Sequence, residues 1–511
     1  MANKNTRIRR KSKPEPLAAG GMDRYNPGMF PRWLILFVIV LILISITGHV
    51  FLFAADSPSP TPPPAKGAAP SPATSEPPPG QIHMKIATRH DPKQTYALYL
   101  PKNYTPSRKW PILYGFSPTA EGRHPAQLFR DAAERFGWIV VGSNNARNGP
   151  SEPINDAIAA LWKDTWARYS IDETRLYATG FSGGARVAYR FAMHAEKTFA
   201  GIVPCGAGLP QGGEPAKNSP FAVHALAGLA DFNYPEMWRV SFTLTRLGIR
   251  NRFTFFDGEH HWPSPAECGK AIRYMELLHL CRKEPGGGKT GAELLQEEIN
   301  DAETILKHPE GLLTGYGRFR ELEGLAADGP ARETIRGRLK ALDENPAFQK
   351  ERAAADAVGK TLAEMATAGN LSRQLPIALD RFPDIIKEQA GTVTARNVER
   401  LLNYTGMGAA RSGMETLQNK SIPEALFLLG QARRVFPADI RVLYGLASAQ
   451  ALSGKTDDAL KTLAEAAKLG LPNPDGVEKD PNMESLRGKK AFQEILDTMR
   501  KKPAPPPPDK P

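Results

Sequence analysis

Apolar residues are distributed along this 511-residue chain in three distinct ways. Residues 33–53 form one unbroken apolar run without Asp, Glu, Lys or Arg. Its length matches the ~20 residues that cross a bilayer as a helix. From about Met84 to Cys281 the apolar stretches are short and alternate with helical patterns. Residues 110–113, 175–179, 221–227 and 252–256 read as strands, and 185–192 and 265–282 as helices. The strand at 221–227 is expected to be the next core strand after the one ending at Thr179. Beyond residue 291 proline becomes sparse and helical periodicity dominates.

Two biased segments separate these regions. Residues 54–80 are rich in Pro, Ala and Ser, a composition that favours an extended, semi-rigid stalk. The run Pro285-Gly286-Gly287-Gly288-Lys289-Thr290-Gly291 reads as a linker. It does not match a phosphate-binding loop, because Lys283 stands where the first glycine must be and no strand precedes it. The expected organisation is a basic tail (1–32), a transmembrane anchor (33–53), the stalk (54–80), an α/β domain (81–284), a linker (285–291), a helical domain (292–500) and a proline-rich tail (501–511).

Charge changes the picture at one end only. The net charge is +12, and residues 1–32 hold eight basic side chains against Glu15 and Asp23, half of the excess. No basic stripe with interleaved aromatics follows, which excludes a nucleic-acid partner. Basic residues before the apolar run and Asp56 after it place the N-terminus in the cytoplasm and the bulk of the chain across the membrane. Ala54-Ala55-Asp56 follows, but Phe53 occupies the position three before that cut, so the run is expected to stay uncleaved at an inner membrane, with a cleaved signal as the alternative. Only three cysteines occur, too few for a disulfide scaffold. Cys268 and Cys281 fall on one helix, about 20 Å apart at 1.5 Å per residue. Adjacent His260 and His261 diverge and find no third ligand at a fitting spacing, so neither metal nor cofactor is expected.

The chemistry concentrates at Gly180-Phe181-Ser182-Gly183-Gly184, between a strand and a helix. A serine between glycines at a strand-to-helix turn is a nucleophile elbow. A serine hydroxyl alone is a poor nucleophile and needs a base. Asp231 follows the strand at 221–227, and His260 follows the strand at 252–256. This gives the order Ser182, Asp231, His260, with His260 as base and Asp231 as the group that fixes its tautomer.

These residues carry a resemblance. Gly-Phe-Ser-Gly-Gly at 180–184, Gly-x-x-Asp at 228–231 and Gly-x-His-x-Trp-Pro at 258–263 resemble the α/β-hydrolase branch of polyhydroxybutyrate depolymerase-like, feruloyl-esterase-like and dienelactone-hydrolase-like enzymes. The last motif selects His260 over His261. The resemblance implies a mostly parallel sheet with helices on both faces and a serine esterase acting on a small-molecule or polymeric ester. It also implies an oxyanion hole built from the backbone N–H groups of Gly183 and Phe116. One departure stands out: Tyr114 occupies the position where such enzymes carry histidine before Gly115.

In the last third, Ala425 repeats as Ala459, Leu429 as Leu463 and Ala432 as Ala466, each 34 residues on. Small residues seven apart with a bulky one between resemble helix B of a tetratricopeptide repeat, over about 406–472. The resemblance implies a groove for a protein partner. Asp480–Met499 is expected as an amphipathic closing helix. The competing reading of the whole chain is a non-catalytic hydrolase-fold scaffold whose repeats bind a partner.

Overall fold

The computed structural model describes residues 77–195, 197–308, 310–368 and 371–501. The anchor expected at 33–53 lies outside the described residues, as do the basic tail and most of the stalk. Among the described residues no helix is long and apolar enough to cross a membrane.

Eight strands form one sheet: β1 (Ile82–Ala87), β2 (Thr95–Tyr99), β3 (Trp110–Phe116), β4 (Ile139–Ser143), β5 (Ile171–Phe181), β6 (Phe199–Cys205), β7 (Ala222–Gly228) and β8 (Asn251–Phe256). Their spatial order is β1-β2-β4-β3-β5-β6-β7-β8. β2 runs antiparallel to both neighbours, and every pairing from β4 through β8 is parallel. This is the α/β-hydrolase arrangement. β3, β4, β6 and β7 are buried along their whole length, as parallel strands covered on both faces must be. β6 corrects the expectation that the strand at 221–227 follows β5 directly. Its run Phe199–Cys205 is interrupted by glycine and proline, which hid it from a count of apolar residues.

One face of the sheet is covered by α3 (Ser151–Arg168), α4 (Gly183–His194) and α5 (Tyr234–Arg246). Leu161, Trp162, Val187, Phe191, Met237 and Leu244 from these helices pack on Ile112, Tyr114, Ala178 and Val223. The other face carries α1 (Arg123–Leu128), α2 (Arg130–Phe136) and α6 (Pro265–Lys283). α6 starts with an N-cap, Ser264 Oγ accepting from the Glu267 N–H at 3.3 Å, with Pro265 in the first turn.

This second core does not stop at residue 285. Leu294, Leu295 and Ile299 of α7 (Gly288–Leu306), Phe319 and Leu322 of α8 (Leu312–Glu323), and Ile335 and Leu339 of α9 (Pro330–Asp343) belong to the same buried cluster as Tyr177, Val203, Tyr274 and Leu278. The glycine run expected to be a linker is instead a 3-10 turn, Pro285–Gly287, that leads directly into α7. Gly286, Gly287 and Gly288 all have positive φ, the backbone of a sharp reversal that lays α7 against α6.

An ionic seam reinforces that junction. Arg252 on the edge strand β8 pairs with Glu298 on α7 and, at 2.9 Å, with Glu321 on α8. Arg273 of α6 meets the same Glu298 at 2.8 Å, and Asp301 as well. The Tyr274 hydroxyl donates to Glu321.

The chain continues through α10 (Pro346–Thr367), α11 (Leu371–Glu388), the long α12 (Val393–Gln418), α13 (Ile422–Val435), α14 (Ile440–Leu452) and α15 (Thr456–Leu469). The 34-residue correspondences fall on α13 and α15, where Ala425, Leu429, Ala432, Ala459, Leu463 and Ala466 are all buried. A Cβ on Gly413 would lie 2.7 Å from Leu429 Cγ, so glycine is what lets α12 and α13 approach. The closing segment differs from expectation. After the short α16 (Pro474–Lys479), residues 480–499 divide into a 3-10 turn over Pro481–Leu486 and α17 (Lys490–Lys501). Pro481 and the Asp480 carboxylate capping the Asn482 N–H at 2.8 Å start a new turn where one helix was expected.

Candidate active site

The three sequence-selected residues lie at the carboxyl ends of β5, β7 and β8, where sheets of this kind carry their sites. Ser182 links β5 to α4 with φ 52° and ψ −120°, a conformation costly for a residue with a Cβ. The flanking glycines are required by close approach. A Cβ on Gly180 would lie 2.9 Å from Ala185 N, and one on Gly184 would lie 2.6 Å from the Phe116 carbonyl carbon. The Ser182 N–H is tied to the Cys205 carbonyl at 2.8 Å, so β6 holds the elbow from behind.

His260 Nε2 lies 3.0 Å from Ser182 Oγ, and His260 Nδ1 lies 2.9 Å from both carboxylate oxygens of Asp231. The Asp231 side chain is fully buried, while His260 stays partly open. Asp231 is itself held, because Oδ1 accepts the Asn233 N–H at 2.7 Å and Asn233 Nδ2 reaches the Gly206 carbonyl at 2.8 Å. An imidazole so placed can take the serine proton on Nε2 while its Nδ1–H stays hydrogen-bonded to the carboxylate. Asp257 and Glu259, the nearby acids in sequence, are both exposed. His261 turns away to its neighbour's backbone, Nδ1 lying 2.7 Å from the Trp262 carbonyl oxygen.

Aromatic rings fix the imidazole in place. Phe181 packs at 4.7 Å between ring centroids and Phe232 at 4.1 Å. Trp262 packs on Phe181 at 5.4 Å, a physical reason for tryptophan two residues after the histidine. Phe232 is 70% exposed, an unusual setting for a large apolar ring, and it presents a hydrophobic platform beside the base. Sequence reasoning missed it; the only available signal was its position directly after Asp231.

Gly183 opens α4, and its N–H has no hydrogen-bond acceptor among the described residues, as expected for a first-turn amide. Phe116 ends β3, whose last peptide touches the Gly184 backbone. Tyr114 points away from this region. Its buried ring stacks on Trp162 at 5.8 Å and its hydroxyl lies 3.1 Å from Thr165 Oγ1. The unusual tyrosine therefore belongs to the core between β3 and α3.

The helical region also touches the acid-bearing loop. Tyr234, three residues after Asp231, donates its hydroxyl proton to Asn397 Oδ1 of α12 at 2.5 Å, and the Arg400 guanidinium lies 4.4 Å over its ring. All three cysteines are free. Burial pushes the Cys205 thiol up to about 12 and raises that of Cys268, so both stay protonated inside the core.

A tetratricopeptide-repeat family model matches residues 416–475, spanning the end of α12 through the first residues of α16. No match is found among curated protein sequences. Among solved structures, this chain is similar to an S-formylglutathione hydrolase from Staphylococcus aureus at 16% identity, over 39% of this chain and 98% of that one, with a TM-score of 0.32. It is similar to a ferulic acid esterase at 14% identity, over 38% and 97%, with a TM-score of 0.33. A third is Est1E from Butyrivibrio proteoclasticus, at 13% identity over 39% and 99%, with a TM-score of 0.31. The fold assignment rests on the strand order and pairing described above.

Proposed function

We propose that this chain is a membrane-anchored serine hydrolase that cleaves carboxylic esters through an acyl-enzyme on Ser182. The observation that carries this reading is the relay of Ser182, His260 and Asp231 on an elbow whose serine is held at φ 52°. Ser182 Oγ attacks the ester carbonyl carbon as His260 Nε2 takes its proton. The tetrahedral oxyanion is met by the Gly183 and Phe116 N–H groups, donors that act most strongly when fixed in advance. The bond to the alcohol oxygen then breaks, and His260 returns the proton to the leaving group. Water repeats the sequence on the acyl-enzyme and restores Ser182. The exposed Phe232 ring favours an apolar acyl or alcohol portion beside the reacting carbon.

The apolar run at 33–53 would hold the protein in an inner membrane with its N-terminus cytoplasmic. The hydrolase would then face the periplasm or exterior, and the repeats at 416–475 would receive a protein partner there. Partition with membranes, together with protease digestion of the hydrolase in spheroplasts, tests this topology; a protected hydrolase would reverse it.

A labelled fluorophosphonate applied to the full chain tests the chemistry. Rapid labelling at Ser182 is expected, and Ser182→Ala should lose both label and ester turnover, the latter by about 10⁶-fold. Turnover that survives Ser182→Ala would sink the proposal.

A further inference from the structure

Phe181 and Phe232 both lie against the imidazole of His260, and they differ in exposure. Phe181 is buried, whereas Phe232 is 70% exposed with its ring centroid 4.1 Å from that of His260. Among the described residues Phe232 is the most exposed large apolar side chain, and the one aromatic ring of that kind. An apolar ring left open to water gains from being covered. At a reacting centre, the surface that arrives to cover it is the substrate.

The backbone beneath the ring is fixed on both flanks. The Leu229 N–H donates to the Phe256 carbonyl and the Ala230 N–H to the Gly258 carbonyl, both at 2.8 Å. These bonds tie the acid loop to the base loop just before Phe232. Just after it, the Asn233 N–H donates to Asp231 Oδ1 at 2.7 Å, and the Tyr234 N–H to the Asp231 carbonyl at 2.9 Å. Phe232 is therefore carried at a set place beside His260 although its ring is open.

The chemistry of the relay says which part of an ester meets that ring. His260 Nε2 serves two oxygens in turn, taking a proton from Ser182 Oγ and giving it to the departing alcohol. The alcohol oxygen must come within hydrogen-bond reach of the imidazole for this transfer. The carbonyl oxygen turns instead toward the Gly183 and Phe116 N–H groups. A ring in contact with the imidazole thus neighbours the alcohol portion.

Resting on the serine-hydrolase reading, we propose that Phe232 determines leaving-group specificity, forming an apolar subsite for esters of aromatic or bulky apolar alcohols. The subsite acts on acylation alone. Once the alcohol has left, the acyl-enzyme is the same whichever alcohol it came from, and its hydrolysis carries no memory of the subsite.

The test uses the full chain with methyl acetate, benzyl acetate and benzyl hexanoate. Wild type should favour benzyl over methyl acetate in kcat/KM, and Phe232→Ala should lower that preference about tenfold, the scale on which apolar pockets discriminate. The preference between benzyl acetate and benzyl hexanoate should stay within about twofold of wild type, because the alcohol is constant. Phe232→Tyr keeps the ring and should keep the benzyl preference. Melting temperatures should not move, since the side chain is exposed. A parallel fall for methyl and benzyl acetate overturns the proposal, because the ring would then shield the imidazole without reading the alcohol. A change confined to the acyl comparison overturns it too, as does a wild type without benzyl preference. Labelling of wild-type Ser182 by a fluorophosphonate keeps the hydrolase reading intact in each of those cases. A wild-type chain that takes no label defeats the underlying reading instead.

Discussion

The sheet half and the repeat half of this molecule use side chains differently. In the sheet half, His260 lies 3.0 Å from Ser182 and 2.9 Å from Asp231, three residues spread over 78 positions of sequence and carried on three strand ends. In the repeat half, Ala425, Leu429 and Ala432 return 34 residues later in equivalent buried positions, each helix packing on its sequence neighbours. The first arrangement defines one point in space. The second defines a surface that can lengthen or shorten, as solenoids do. A fixed constellation of polar side chains sits in the first, and a stack of repeated helices makes the second. The seam between them is neither loose nor solvent-filled, because α6 through α9 share one core and one set of ion pairs with the sheet.

That seam offers the strongest way to break the comparison. A chain ended at residue 285 should fail to fold as a soluble domain, because it would expose the face of α6 that meets Leu294, Leu295 and Phe319. A soluble, cooperatively melting fragment would show that the halves are separable after all. Next in size is Asp231→Asn, which should leave the melting temperature near wild type yet depress kcat by about 10⁴-fold through the wrong imidazole tautomer. In the same assay His260→Ala should be at least as severe, while His261→Ala should be mild, since the His261 ring turns to the Trp262 carbonyl.

Breaking the ionic seam should cost less than removing it. Glu298→Gln leaves Arg252 and Arg273 short of a buried partner, and about 3–5 kcal/mol of unfolding free energy should be lost. Denaturant titration reads this directly, and a loss below about 1 kcal/mol would mean the pairs are solvated in solution.

Acid should act on the same region. Burial, with Arg175 and Lys283 nearby, lowers the His279 pKa from 6.5 to about 4. Burial beside Arg252, Arg318 and Arg273 also holds His224 well below its usual value. Both are neutral in the fold and take a proton more readily when unfolded. Stability should therefore be full above about pH 6.5 and fall as pH drops toward 4. Melting temperatures across that window check it, and His279→Gln should flatten the slope.

The smallest expected effect sharpens the link between the halves. Asn397→Ala removes the acceptor of the Tyr234 hydroxyl and should cost about 0.5–1.5 kcal/mol. A matching drop in kcat of less than about tenfold would mean that α12 steadies the loop bearing Asp231.

Sequence alone located the relay because each member is tied to a local constraint. A serine at positive φ needs small neighbours, and the acid and base follow recognisable strand ends. The 34-residue period was equally legible, since small residues are forced wherever helices pack closely. β6 was missed because Gly201 and Pro204 break its apolar run, although its neighbours bury it completely. The glycines at 286–288 read as a linker, yet the packing of α7 on α6 uses their positive φ to make a tight turn. Tyr114 departs from the family pattern in sequence, and only its contacts with Trp162 and Thr165 show that it points into the core. Asn397 had no sequence signal and Phe232 only its place after Asp231, because what distinguishes them is distance to residues far along the chain. Residue identity and spacing therefore determined the elbow, its partners and the repeat. The tertiary structure decided which backbone groups meet, which rings cover the imidazole, and that two apparent domains share a core, because those depend on contacts no local pattern encodes.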